Sequence, residues 1–276
     1  MRFDNVISVC AIKDQHVWAR TAPSVLENID SYRYTLIVPE HELKVFQKIT
    51  PSEYEVISEN QFKTGFFAYL ANSATDSKSS IGWYIQQLLK LSALASIPKD
   101  QVALIWDADT VPLKKLTFES NGKLACYKGN EHHEPYFSTI ERLLGLKKAN
   151  KISYIAQCMP FRSSWARELF ELIEEKNDCR WQEAVIKAID FSRPSGFSEY
   201  ELLGTFVEYN YPGELAILTN PWQRYGNGLI GSVEHLDYFQ KILGLRYDFI
   251  SFEKWDKSYS LYSQYLKKLG LALVYK

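Results

Sequence analysis

The chain has 276 residues, 46% of them hydrophobic and 24% charged, and its 32 basic and 33 acidic side chains leave a net charge of −1. That length accommodates one large α/β domain, and the near-neutral balance excludes a dedicated nucleic-acid binder. Four well-separated cysteines, Cys10, Cys126, Cys158 and Cys179, form no CxxC pair, which points to reduced thiols rather than a zinc site or a disulfide framework.

The start, "MRFDNVISVCAIKDQ", has no apolar leader, and no run approaches 18 apolar residues, so a cytoplasmic chain that does not span a membrane is expected. Residues 5–12 are an apolar run and read as a buried first strand, followed by helical spacing over 17–29. Residues 34–40 and 54–60 read as strands on either side of a helix at 41–49. The polar stretch 63–80 reads as a loop, 81–97 as the clearest helix, and 102–106 as another strand. Strands alternating with helices imply a mostly parallel sheet covered on both faces. Beyond residue 120, strands are expected at 123–129, 152–161 and 214–220. Helices are expected at 163–176, capped by Ser163 or Ser164, within 194–209, and over most of 258–275. No repeat or linker interrupts the chain, so 1–276 reads as one domain, with 1–112 as a nucleotide-binding half and 113–276 as an acceptor-binding half.

The chemistry concentrates in "VALIWDADTVPL", residues 102–113. In an extended chain Asp107 and Asp109 project to the same side. Two such charges about 4 Å apart repel by roughly 4 kcal/mol at an effective dielectric of 20. A divalent cation, a shared proton or a basic partner would relieve that. The position matters as well, because in open α/β sheets ligands bind beyond the carboxyl ends of the strands.

With this strand, Asp107-Ala108-Asp109 and the preceding α/β half, the chain resembles the GT-A glycosyltransferases and their DxD motif. It is similar to a bacterial family of glycosyltransferase-like proteins carrying "QQLLKL", "DADTV" and "SEYE", here Gln86 to Leu91, Asp107 to Val111 and Ser198 to Glu201, over roughly 5–240. The resemblance implies a Rossmann-like, mostly parallel sheet flanked by helices. It also implies transfer of a sugar from a nucleotide-sugar, a UDP-sugar being favoured, to a glycan or lipid-linked glycan in bacterial surface polysaccharide synthesis. Asp109 would hold Mn²⁺ or Mg²⁺, hard cations that choose carboxylate and phosphate oxygens. Asp107 would meet the ribose, or the metal through water. Ala11 and Lys13, at the end of the first strand, would border the nucleotide base, Gln87 and Lys90 would face the donor from their helix, and His235 would be a third metal ligand. A rival reading is also open. "LIWDADTV" matches the DxDx[TV] motif of haloacid-dehalogenase-like phosphatases, whose first Asp is a nucleophile. That motif normally ends the first strand of its domain, and three strand candidates precede it here. A catalytically silent sugar-binding module is the third option.

"SGFSEYELLG" is the second concentration. Ser198 and Glu201 have the spacing of a capping box, which leaves Glu199 without a structural duty. The resemblance makes Glu199, and secondarily Glu201, candidates for the catalytic base. Trp222, Arg224 and Tyr225 form an aromatic-basic loop suited to stacking on a sugar or gripping a phosphate. The C-terminal stretch mixes Tyr, Leu and Lys and suits peripheral membrane contact.

Overall fold

The computed structural model describes residues 1–62, 65–75 and 80–256. Its first half alternates as expected. β1 (Asn5–Val9), α1 (Gln15–Asn28), β2 (Tyr34–Val38), α2 (Leu43–Ile49), β3 (Tyr54–Ser58), α3 (Phe66–Ser73), α4 (Ile81–Ala95) and β4 (Val102–Trp106) follow one another. The second half holds β5 (Thr110–Pro112), β6 (Glu119–Ser120), β7 (Lys123–Tyr127), α5 (Glu134–Leu144), β8 (Cys158–Arg162), α6 (Ser163–Asn177), α7 (Trp181–Ala188), α8 (Glu199–Asn210), β9 (Leu215–Leu218), α9 (Gly226–Ile230), α10 (Leu236–Arg246) and β10 (Phe249–Ser251). The main sheet has the order β3-β2-β1-β4-β8. Its first four strands run parallel, and β8 is the antiparallel edge. Pro160 is tolerated in β8 because the strand has one partner only, and the missing amide costs no ladder bond.

Period-two alternation builds the two cores. Ile7, Val9, Ile37, Ala103 and Ile105 face the layer that holds α4 to α8. Their neighbours Val6, Leu36, Val38, Leu104 and Trp106 face the layer that holds α1. A third, smaller cluster joins Val17, Val111, Leu113, Ile230, Leu236, Leu243 and Phe252. It packs α10 beside the β5–β10 pair, which is antiparallel.

Several expectations change. The stretch 63–80 contains α3, because Phe66 and Leu70, one helical turn apart, are both buried. Only the tail of that segment is polar enough for a loop. The strand expected from 152 begins at Cys158, since Gln157 adopts φ 64°, a left-handed conformation that cannot continue a strand. Ser163 does not cap α6; its hydroxyl accepts the Gln101 amide at 3.2 Å. The helix expected over 258–275 lies outside the described residues.

Candidate active site

The carboxyl ends of β1 and β4 open into a cleft of about 1270 Å³. Asp107 and Asp109 lie on its wall, but they are not the extended pair expected. The Thr110 amide donates to the Asp107 carbonyl at 3.1 Å, so the chain turns between them and the two carboxylates take different partners. Asp107 keeps the parity of Ala103 and Ile105 and is aimed at α4 and α8. There Lys90 Nζ meets Asp107 Oδ1 at 2.5 Å and Glu199 Oε1 at 2.6 Å. Tyr200 also donates its hydroxyl to Asp107 Oδ1, at 2.6 Å. Burial works against the Lys90 charge, yet Asp107 and Glu199 outweigh it and hold the ammonium above the ordinary lysine range. Burial pushes the Glu199 carboxyl up, while Lys90 pulls it back toward ionisation.

Asp109 has a different environment. β10 pairs with β5, and the Phe252 amide donates to the Asp109 carbonyl at 2.8 Å, which brings Glu253 beside it. Burial, and then the charges of Glu253, Asp107 and Asp14, raise the Asp109 carboxyl well above the usual aspartate range. Among the described residues no cation pairs with the Asp109 carboxylate, and its side chain accepts only a long 3.4 Å bond from Thr110. A carboxylate this crowded by like charge suits a divalent cation, and oxygen donors suit Mn²⁺ or Mg²⁺. No group of three or more His, Cys, Asp or Glu among the described residues is arranged to hold a metal by itself. Coordination at Asp109 would therefore be completed by ligand oxygens and water, as is usual for Mg²⁺.

Arg224 ties the opposite wall. It binds Glu131 and also Glu253, the latter at 3.0 Å, and Gln157 donates to the same Glu253 oxygen at 2.6 Å. Gln157 is doubly committed, because its carbonyl accepts the Asp107 amide at 2.9 Å. Arg224 is thus held by two carboxylates rather than offered to a phosphate. Trp222 is turned to the Lys128 carbonyl and stacked on Phe249. Tyr225 and Trp255 are half exposed on the cleft.

The other predicted residues separate clearly. Lys13, Gln87, Lys90 and Glu199 line the cleft; Ala11, Glu201 and His235 do not. Gln87 uses its polar ends internally, accepting the Glu199 amide at 3.0 Å and donating to the Trp83 carbonyl at 3.3 Å. Glu201 is fully buried and receives Lys148 at 2.7 Å, Ser153 at 3.0 Å and the Tyr154 amide at 3.0 Å. Half of the capping box forms, with the Ser198 hydroxyl accepting the Glu201 amide at 3.3 Å. The Glu201 carboxylate turns to Lys148 instead of back to the cap, because a buried ammonium holds it more strongly than an amide. His235 sits in the turn before α10, its Nδ1 2.8 Å from the Ile230 carbonyl, and it does not line the cleft that holds Asp109. Tyr200, Gln157 and Glu253 complete the site and were not singled out from sequence. Tyr200 had a signal, lying between the two glutamates of "SEYE". Glu253 had none, since only strand pairing carries it to Asp109.

The model of a family of unknown function, DUF6492, matches residues 25–216. No curated protein matches the chain. Among solved structures the fold is similar to mouse xyloside xylosyltransferase 1 in its apo form, with a TM-score of 0.53 and 10% identity, covering 92% of this chain and 98% of that one. A second similar structure is the galactosyltransferase LgtC in complex with donor and acceptor sugar analogues, with a TM-score of 0.48, 10% identity and coverage of 99% and 97%. The fold is that of the GT-A glycosyltransferases.

Proposed function

Because the chain belongs to DUF6492, a family of unknown function whose model spans more than half of it, its chemistry has to come from its own site, and we propose that it is a metal-dependent glycosyltransferase. It moves a sugar from a nucleotide-sugar, a UDP-sugar in the first instance, to a glycan or lipid-linked glycan. The setting we propose is bacterial surface polysaccharide assembly at the cytoplasmic face of the membrane.

The observation that carries this reading is the charge of the cleft. Its lining holds six carboxylates (Asp14, Asp107, Asp109, Glu131, Glu199, Glu253) and four cations (Lys13, Lys90, Lys128, Arg224). Lys90 and Arg224 are each claimed by two of those carboxylates. A diphosphate entering such a cleft needs a further cation, and Asp109 is the carboxylate placed to bring one. A divalent ion held there supplies charge neutralisation to the leaving diphosphate. The GT-A fold and the place of Asp107 and Asp109 beyond β4, the fourth strand along the chain, favour the transferase over the phosphatase, whose motif ends a first strand.

The chain's own residues take defined parts. Lys90 and Tyr200 fix Asp107. Gln157 joins Asp107 to Glu253 and so couples the two walls. Lys13 stands at the mouth near the end of β1, where a base would lie. Glu199 is the helix-start carboxylate that lines the cleft, and we assign it the proton of the attacking hydroxyl. Burial lifts its basicity while Lys90 pulls it back toward ionisation, and a raised carboxyl is the better proton acceptor.

The test is a thermal-shift panel of UDP, GDP, CMP and dTDP ligands with and without Mn²⁺. A ligand at 100 times its Kd stabilises the native state by about 2.7 kcal/mol. A UDP ligand that raises Tm only with Mn²⁺ is the expected result. No nucleotide shift under any condition, or turnover of a simple phosphomonoester that is lost in Asp107→Asn, overturns the assignment.

A further inference from the structure

α10 is apolar on two faces. Leu236 and Leu243 are buried against the third core cluster, which accounts for the inner face. The outer face carries Tyr238, Ile242 and Leu245, which are 81%, 68% and 87% exposed. Their spacing of four and three residues places them in one stripe along the helix. Lone exposed apolar side chains need no explanation, but a stripe of three on one helix does. A helix apolar on opposite faces normally has both covered.

Charge indicates the covering. Lys241 and Arg246 are exposed beside the stripe. The acidic Asp237 on the same helix is paired with Arg20 at 2.9 Å, which leaves Glu234 as the neighbouring acidic side chain. The sequence that continues from Asp256 adds Lys257, Lys267, Lys268 and Lys276 over residues 257–276, with no Asp or Glu. Asp256, the last described residue, accepts the Gly228 amide at 2.7 Å and so sits against α9, and α9 and α10 share the third cluster. Tyrosine and branched aliphatic side chains flanked by Lys and Arg are the chemistry of a helix lying in a bilayer interface. No helix among the described residues is long and apolar enough to cross a membrane.

We infer that the outer face of α10 is a docking surface for an anionic lipid bilayer, with Tyr238, Ile242 and Leu245 entering the interface and Lys241 and Arg246 meeting the headgroups. The inference does not depend on the transferase reading, and lipid binding and sugar transfer can fail separately.

The experiment is co-sedimentation of the full chain with vesicles of phosphatidylcholine mixed with phosphatidylglycerol, and with vesicles of phosphatidylcholine alone. The variant is Ile242→Ser with Leu245→Ser, two exposed positions whose loss leaves the core intact. The parent should bind the anionic vesicles, release as salt rises, and bind neutral vesicles far less. Each apolar side chain removed should weaken binding by about tenfold. Lys241→Glu should weaken it by at least about fivefold. Failure of the parent to bind overturns the inference, as does a variant that binds like the parent. Equal binding to neutral vesicles overturns the anionic assignment. A parent that is dimeric by light scattering and becomes monomeric in the variant assigns the face to a second copy instead.

Discussion

Asp109 is the residue on which the proposal turns, and its environment makes a pH prediction with a definite sign. Burial and the neighbouring Glu253, Asp107 and Asp14 raise its carboxyl well above the usual range. The folded chain therefore holds a proton that the unfolded chain has already lost, over the interval between the ordinary and the raised value. Stability falls as pH rises through that interval. Asp109→Asn should accordingly raise the Tm of the metal-free protein at neutral pH while abolishing its Mn²⁺-dependent nucleotide binding. A lower Tm with nucleotide binding retained would contradict both halves. A divalent ion binds the carboxylate and displaces that proton, so apparent Mn²⁺ affinity in the parent should climb with pH through the same interval, read by calorimetry at several pH values.

Lys90 makes the contrasting case. Lys90→Met leaves the buried Glu199 and the half-buried Asp107 without their shared cation and should cost about 3–5 kcal/mol in chemical denaturation. Glu199→Gln removes one charged hydrogen bond while Lys90 keeps Asp107, so the cost should be smaller, about 1.5–3 kcal/mol. Its effect on kcat should be far larger, about 10²–10⁴-fold. Unchanged turnover in Glu199→Gln would move the base elsewhere.

At the level of the element, α8 places the network. It starts at a Ser198 cap, presents Glu199 to the cleft and Tyr200 to Asp107, and sends Glu201 to the opposite side, toward residues 148–154. Consecutive helical positions are about 100° apart, so three neighbours serve three environments. Glu201→Gln should therefore be a stability variant. Loss of charge opposite the buried Lys148 should cost about 3–5 kcal/mol, with kcat of the folded fraction unchanged. A well-folded but inactive variant would return Glu201 to catalysis. Packing on the same helix is equally tight. A Cβ at Gly204 would stand 2.1 Å from the Tyr154 ring, so Gly204→Ala should lower stability by about 1–3 kcal/mol despite its better helix propensity.

Across the whole molecule, the cleft is closed by residues far apart in sequence. Arg224 links the loop after β7, through Glu131, to the chain after β10, through Glu253. Arg224→Met should lower the urea midpoint by the equivalent of about 1.5–3 kcal/mol. It should also raise the Kd for Mn²⁺-nucleotide, since the wall beside Asp109 loses its tie. An unchanged midpoint would show that the two loops are held independently. Much of this architecture is legible in the chain itself. Continuous apolar runs determined the strands, and the side-chain parity along each strand determined which core each residue faces. The apolar run ending in Asp107 and Asp109 located the cleft, and the resemblance to GT-A enzymes pointed Lys90 toward it. The Ser198 cap is local chemistry and was equally readable. What only the tertiary structure decided is long-range pairing. Asp107 and Asp109 take different partners because a turn closes between them. Glu201 leaves the cap for Lys148, 53 positions away. Glu253 reaches Asp109 through the pairing of β10 with β5. Local spacing determines which face of an element a side chain occupies, but the ion pair that forms there depends on which distant charge the fold brings within a few ångströms in a low-dielectric interior.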